Sequence, residues 1–309
     1  MRTILFAGTL VLSLLGTQSR AEEKLDLKMH WTKGDTHQVS VSLDQSIDQS
    51  LGDAQQQTTQ MVGVTYDFTV TDVDPKGNAT VSVRYESVSF HAKTPSGVVD
   101  YDPTKPATGP MPVTVTALAA LVGQSYSVTV DPRGTIVQVV GAQKMLDGVL
   151  AHLNVSEGVL HVAVEKTIRQ QLSEQNLKQS LRDVFAPFPN HPVAIGESWT
   201  RKSMVTQGFA INVETTYVLK SHEDGIAVVS VAGKIATSAE AMMDLGAVKM
   251  DYDLKGEQTG SLEILESTGW TRHAGITQTL AGKAILRGPN VDRQIIPMTI
   301  RSQIKSEQK

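Results

Sequence analysis

The chain has no cysteine in its 309 residues. Disulfides, thiol catalysis and thiolate metal sites are therefore excluded, and so is a lipid anchor on a cysteine. Aromatic residues make up only 5%. That speaks against a transmembrane β-barrel, which needs aromatic girdles at both interfaces. Basic residues are not in excess: 28 Lys and Arg face 32 Asp and Glu, a net charge of −4. No basic footprint for nucleic acid is present. Beyond the first 21 residues no apolar run reaches the about 20 residues of a membrane helix.

Those first residues have their own pattern. Arg2 precedes an apolar stretch from Ile4 to Leu15, and Ser19-Arg20-Ala21 offers a small-x-small cleavage site. This predicts a secretory signal peptide over 1–21, a mature chain starting at Glu22, and export to the periplasm or beyond. Removing Arg2 and Arg20 leaves 26 basic against 32 acidic residues, net −6.

What the chain does contain is a pattern stated twice. Gly77-Asn-Ala-Thr-Val-Ser-Val83 returns as Gly225-Ile-Ala-Val-Val-Ser-Val231. Thr65-Tyr66 and Thr216-Tyr217 precede the copies, and Gly34-Asp35 is matched by Gly196-Glu197. A Gly-punctuated strand pair follows each copy, Gly123 to Gly141 and Gly260 to Gly282. This is a loose duplication of a β unit. It divides the chain into a first β unit over 22–141, a helical insert with a Pro-rich boundary over 142–192, and a second β unit over 193–309.

Within the first unit, Val39 to Leu43, Tyr66 to Val70 and Val81 to Tyr85 alternate as half-buried strands do. Asp131-Pro-Arg-Gly134 separates two further runs, Tyr126 to Val130 and Ile136 to Val140, as a hairpin. Thr116 to Val122 predicts a helical turn or two ended by Gly123. Lys93 to Pro112 carries five prolines and predicts a long loop, neither helix nor central strand.

The insert carries apolar residues at helical spacing. Leu146, Val149, Leu150 and Leu153 share one face, and Leu160, Val164, Ile168 and Leu172 follow at steps of four. Ser156 and Ser173 are candidate N-caps, so two or three helices are expected. In the second unit strands are expected over 212–219, 226–235, 248–254, 262–265, 276–285 and 298–304. A short helix is expected over Ala239 to Leu245.

The candidate chemical motifs are weak. Asp72-Val-Asp74-Pro-Lys-Gly77 mimics a calcium loop, but Lys76 repels a cation and strands flank it, so a plain turn is expected. Gly123-Gln-Ser125 lacks the second glycine of a nucleophile elbow. Eight scattered histidines form no metal-ligand spacing. Asp251 and Asp253 share a strand face opposite Tyr252, which fits a solvated edge. Neither metal nor cofactor is expected. Met242, Met243 and Met250 are adaptable apolar groups able to line a pocket.

Trp31-Thr-Lys-Gly-Asp35, Leu118 through Gly134, and Ile195-Gly-Glu-Ser-Trp199 resemble an uncharacterised family of exported bacterial proteins, a domain of unknown function frequent in planctomycetes. The resemblance implies no activity and no site residues. More loosely, curved antiparallel sheets wrapped around helices are similar to periplasmic lipoprotein-carrier half-barrels, an analogy of fold alone.

The fold expected is mainly β: two similar antiparallel units forming a large curved sheet or half-barrel, with segment 142–185 packed on its concave face. The leading functional expectation is a non-enzymatic envelope protein holding a lipid or other apolar ligand. Leu160, Val164, Ile168, Met242, Met243 and Met250 are its candidate binding residues. The alternative is a structural module that docks an envelope protein, with a hydrolase third.

Overall fold

The structure, a computed structural model, describes residues 24–105, 113–153, 165–166, 168–181, 184–185, 188–206, 210–238, 241–244, 248–288 and 291–309. In the first half lie β1 (Thr36–Leu51), β2 (Ala54–Val73), β3 (Ala79–Thr94), β4 (Gly97–Tyr101), α1 (Val113–Ala119), β5 (Ser125–Val130) and β6 (Ile136–Val140). α2 (Ala142–Ala151) and α3 (Glu174–Leu181) follow. The second half holds β7 (Ser198–Val205), β8 (Ile211–Glu223), β9 (Ile226–Thr237), β10 (Met242–Asp244), β11 (Lys249–Leu265), β12 (Thr271–Gly288) and β13 (Val291–Gln308).

All 13 strands join one antiparallel, curved and unclosed sheet. Its order is β6-β5-β3-β2-β1-β13-β12-β11-β9-β8-β7, with β4 added on β3 and β10 on β11. Each half is a meander, and the two meet where β1 pairs with β13. The free edges are β6 and β7. The segment between them in sequence carries α2 and α3.

The repeated sequence signals lie at corresponding places. Gly34 and Gly196 take positive φ just before β1 and β7, and Gly77 and Gly225 do so between β2 and β3 and between β8 and β9. The two Asp-Pro-basic-Gly turns share one mechanism. The Asp74 carboxylate accepts from the Lys76 and Asn78 amides at 2.8 and 2.9 Å. The Asp131 carboxylate accepts from those of Arg133 and Thr135 at 2.9 and 2.8 Å. The side chain thus copies a backbone turn, and Asp74 to Asn78 form the hairpin turn expected here, with Asp72 and Val73 still paired in β2.

The core sits on the concave face at one end of the sheet. Val81, Val83, Phe68, Val229, Leu262 and Ile264 of the strands meet Met145, Val149, Leu177 and Leu181 of α2 and α3. Ser173 caps α3, its hydroxyl accepting from the Asn176 amide at 3.4 Å. Lys24 to Trp31 runs across the same end as a strap. Leu25 pairs with Val193, the Met29 amide donates to the Pro132 carbonyl at 2.8 Å, and the His30 amide to that of Thr268 at 2.9 Å. Gly269 lets the strap pass, for a Cβ there would lie 2.2 Å from the Lys28 carbonyl oxygen.

Four local expectations are corrected. Met242–Asp244 is a strand, not helix, because its pairing with β11 outweighs the helical preference of Ala and Met. Residues 248–254 and 262–265 belong to one strand, β11, whose polar middle hid its continuity. Gly260 and Gly282 lie inside β11 and β12 rather than at turns. The proline-rich stretch is not wholly loop, since Gly97–Tyr101 forms an edge strand on β3 just before Pro103. Ser156, Leu160 and Val164 lie outside the described residues.

A polar row crosses the concave face at a single level. Cross-strand neighbours run Gln60, Gln45, Ser302, Gln278, Gln258, Gly233, Thr215 and Arg201, from β2 to β7. Gln60 donates to Gln45 at 2.9 Å, Gln45 to Ser302 at 3.0 Å, Gln278 to Gln258 at 3.0 Å and Gln258 to Thr215 at 2.8 Å. Buried amides must be bonded, and the chain of bonds meets that need. Beyond the row a second apolar cluster forms from Val213, Ile235, Leu254, Leu280 and Ile300.

Gly233 makes the last link possible. With no side chain on β9, Gln258 reaches across to Thr215. A Cβ at Gly233 would lie 2.9 Å from both Gln258 Cγ and the Glu214 carbonyl oxygen. Gly233→Ala is expected to cost about 1–3 kcal/mol, the usual cost of overpacking. Gly275→Ala, which would meet nothing within 4 Å, is expected to stay within about 0.5 kcal/mol. Urea unfolding of the two variants checks the contrast, and equal midpoints would contradict it.

Candidate functional site

The open seam of the sheet holds the site. Between edges β6 and β7 lies a cleft of about 330 Å³, within the size range of small-molecule sites. One wall is the β5–β6 turn and the start of β6, Arg133 to Ile136; another is β7, Arg201 to Met204. Gln175, Lys178 and Gln179 of α3 line it, and the floor is the concave face at Thr215, Tyr217, Gln258, Ile276 and Gln278.

Helix α3 spans the seam. Lys178 Nζ donates to the Val137 carbonyl on β6 at 3.2 Å. On the other side Gln179 Nε2 donates to Thr206 Oγ1 at 3.1 Å, and Gln179 Oε1 accepts from the Thr206 amide at 3.0 Å, just past β7. Two edge strands that do not pair with each other are thus each tied to one turn of helix. Edge strands left bare would template aggregation, so this contact also protects them.

The cleft is two-sided in chemistry. Its polar part is the end of the glutamine row, Gln278, Gln258 and Thr215, closed by Arg201. Its apolar part is Ile136, Phe185, Tyr217, Ile276 and Met204. Four cations line it, Arg133, Lys178, Arg201 and Lys202, and no carboxylate, histidine or cysteine does so among the described residues. Arg133 is committed to the strap: its Nη1 donates to Asp26 at 2.7 Å and to the Leu27 carbonyl at 2.8 Å. Hydrogen bonds from Lys28 and Arg133 hold the Asp26 carboxyl below its ordinary range. Lys202 faces Glu214 at 3.5 Å. Arg201 donates to the Phe188 carbonyl.

Of the six residues expected to bind, the four that are described, Ile168, Met242, Met243 and Met250, lie away from this cleft. Ile168 is 6% exposed and sits in the core. Met243 and Met250 are cross-strand partners on β10 and β11, while Met242 is exposed on β10. None of the four lines the cleft. The residues that do line it drew no attention in the sequence because they are polar positions within strands. The available signal was an inward register on β11 that reads Leu254, Gly256, Gln258, Gly260, Leu262, with a glutamine where an apolar residue is due. No group of three or more His, Asp or Glu is arranged to hold a metal among the described residues. His37, which stacks on Trp270 at 4.4 Å, has its pKa depressed by burial and takes part in the core.

The family model described as "Family of unknown function (DUF6263)" matches residues 76–271. No curated protein matches the chain. Among solved structures, one of lipid–protein interactions in lipovitellin is similar at 11% identity and a TM-score of 0.50, over 91% of this chain. The chain spans only 25% of that lipovitellin chain, and the likeness is one of fold. OccK7 of Pseudomonas aeruginosa aligns over 89% of this chain and 99% of its own at 7% identity, with a TM-score of 0.21. A DUF1329 family protein from Desulfovibrio piger aligns over 85% and 83% at 7% identity, with a TM-score of 0.14. Scores that low carry no weight for the fold. No helix among the described residues is long and apolar enough to cross a membrane.

Proposed function

The chain belongs to the family of unknown function DUF6263, and from the cleft at its seam we propose that it is a binding protein, not an enzyme, which holds an apolar or amphipathic ligand. The single observation that carries this reading is a cleft of about 330 Å³ with an apolar side, Ile136, Phe185, Tyr217 and Ile276, entered through an unpaired gap in the sheet. Among the described residues the ionisable side chains of the lining are cations and a tyrosine, which supports a non-catalytic role, because acid–base and nucleophilic chemistry need a base within reach. The fold likeness to a lipid-binding protein, lipovitellin, is compatible with such a ligand. We further propose that the protein acts in the cell envelope after export, as its first 21 residues suggest.

The neutral dye N-phenyl-1-naphthylamine tests the reading. Its fluorescence is expected to rise on binding the purified chain. Ile276→Trp, which fills the cleft, is expected to abolish that rise while leaving the urea midpoint unchanged within about 0.5 kcal/mol. A dye response equal in the two proteins would place the binding elsewhere. A second reading, docking of a protein partner, draws on exposed Val137 and Val140 on β6 and Met204 on β7. Native mass spectrometry of protein from its own cells separates the two: a bound small molecule supports the first, a stoichiometric protein the second.

A further inference from the structure

Resting on the reading of the cleft as a ligand site, we infer that its ligand is an anionic amphiphile, with a carboxylate or phosphate held between Lys178 and Arg201 and its apolar chain on Ile276 and Tyr217. The inference starts from an imbalance of charge. Among the described residues four cations line the cleft and no carboxylate does. Two of the four already have acidic partners, Arg133 in Asp26 and Lys202 in Glu214. The other two do not. Lys178 and Arg201 form no ion pair among the described residues, and each has only a backbone carbonyl, that of Val137 and that of Phe188.

The capacity left over is large. A guanidinium carries five N–H donors and an ammonium three, and a single bond is made by each here. Arg201 is half-buried at the β7 end of the glutamine row, where an unpaired charge is costly. Lys178 stands on α3, on a different wall of the same cleft. A planar carboxylate or a phosphate between them accepts from both, with two parallel bonds open to it on the arginine. Gln175 of α3 adds an amide donor beside it. Ile136, Ile276 and Tyr217 leave an apolar surface for the remainder of the ligand. A bare inorganic anion leaves that surface wet, and a neutral chain leaves both cations unmet.

Calorimetric titration of the full chain with molecules of one chain length tests the inference. Decanoate or decyl phosphate is expected to bind at least about tenfold more tightly than decanol, the gain from roughly one charge-assisted bond. Which of the two binds better tells a fatty acid from a phosphate-headed lipid. Arg201→Gln and Lys178→Gln are each expected to weaken the preferred anion about tenfold and leave decanol unchanged. Equal affinity for decanol, or preference for decyltrimethylammonium, overturns the anionic head while the binding reading stands. Acetate or inorganic phosphate binding as tightly as the long-chain anion overturns the amphiphile. If neither the neutral dye nor any decyl compound binds, both readings fall together. The comparison of ligands on the unmodified chain decides the matter even where a variant does not fold.

Discussion

Trp270→Ala is expected to lower the stability of the folded chain by about 3–5 kcal/mol, the range for emptying a buried aromatic site. Trp270 is 2% exposed and stands where separate parts of the chain meet. It stacks on His37 of β1 at 4.4 Å, and its ring lies 5.3 Å from Phe68 of β2. Trp31 of the strap is 5.9 Å away and Phe185, beyond α3, is 5.5 Å away. Aromatic pairs of this kind add about 0.5–1.5 kcal/mol beyond area burial. Deleting one indole therefore loosens the strap, the seam between the halves and the approach to the cleft together. Urea melts read the loss as a lower midpoint at unchanged slope. Trp199, stacked on Tyr217 at the β7 edge, is the contrast. Its removal is expected to cost less, and a larger loss at Trp199 than at Trp270 would put the centre of the core elsewhere.

Acid adds a second readout at the same site. Burial holds the His37 pKa below its ordinary 6.5, so the folded chain keeps it neutral while the unfolded chain takes up a proton. The unfolded state then binds more protons as pH falls below 6.5. The stability due to neutral His37 is full above that value and is lost as pH falls toward the depressed folded pKa. Trp270→Ala lets water reach the ring, so this pH dependence is expected to shrink along with the stability.

Much of the fold was legible because turns and alternation are local. The Asp131-Pro-Arg-Gly134 hairpin follows from a carboxylate that bonds its own backbone and a glycine at positive φ. The strand at Val81 to Tyr85 follows from strict period two. Long strands were less legible. From Leu254 to Leu262, β11 buries a residue only at every fourth position, Leu254, Gln258 and Leu262, with Gly256 and Gly260 between. A pattern reader breaks such a strand at its glutamine. Only its bonds to Gln278 on the neighbouring strand and to Thr215 two strands away explain why the amide is there. The cleft was illegible for a related reason. It forms where β6 and β7, about 60 residues apart in sequence, approach without pairing, and a gap between edges leaves no motif.

The seam also explains how a β-rich chain with few aromatics can offer a ligand site. A closed barrel of this size hides its interior, and a flat sheet has none. Here the sheet curls until its edges face each other, and α3 ties each edge by side-chain bonds rather than by a ladder. Those bonds are few and exposed, the kind of contact that opens at low cost. The groups proposed to hold the ligand and the tie share one residue, Lys178.

Ile168→Ala is expected to cost about 2–5 kcal/mol, while its neighbour Arg169→Ala is expected to stay within about 0.5 kcal/mol. Ile168 is 6% exposed in helical backbone ahead of α3 and belongs to the main core. Arg169 points outward and pairs with Glu165 one turn away at 2.5 Å, an exposed bond of small worth. Intrinsic helicity in this part of the chain is mediocre, since Val159, Val162, Val164 and Ile168 are β-branched and Gly158 lies among them. Burial has to supply what propensity lacks. The same pair of variants separates stability from binding. Ile168 lines no part of the cleft, so Ile168→Ala is expected to lower the urea midpoint and leave the affinity for decanoate, measured well below that midpoint, within about twofold. Ile276→Trp is expected to do the reverse. If instead Ile168→Ala abolishes binding in a chain that is still folded, the ligand lies deeper, between the helices and the sheet, and the seam is its entrance. If Ile168→Ala and Arg169→Ala are equally harmless, the helical segment does not rest on the sheet through this stripe, and α3 holds the seam by its side-chain bonds alone.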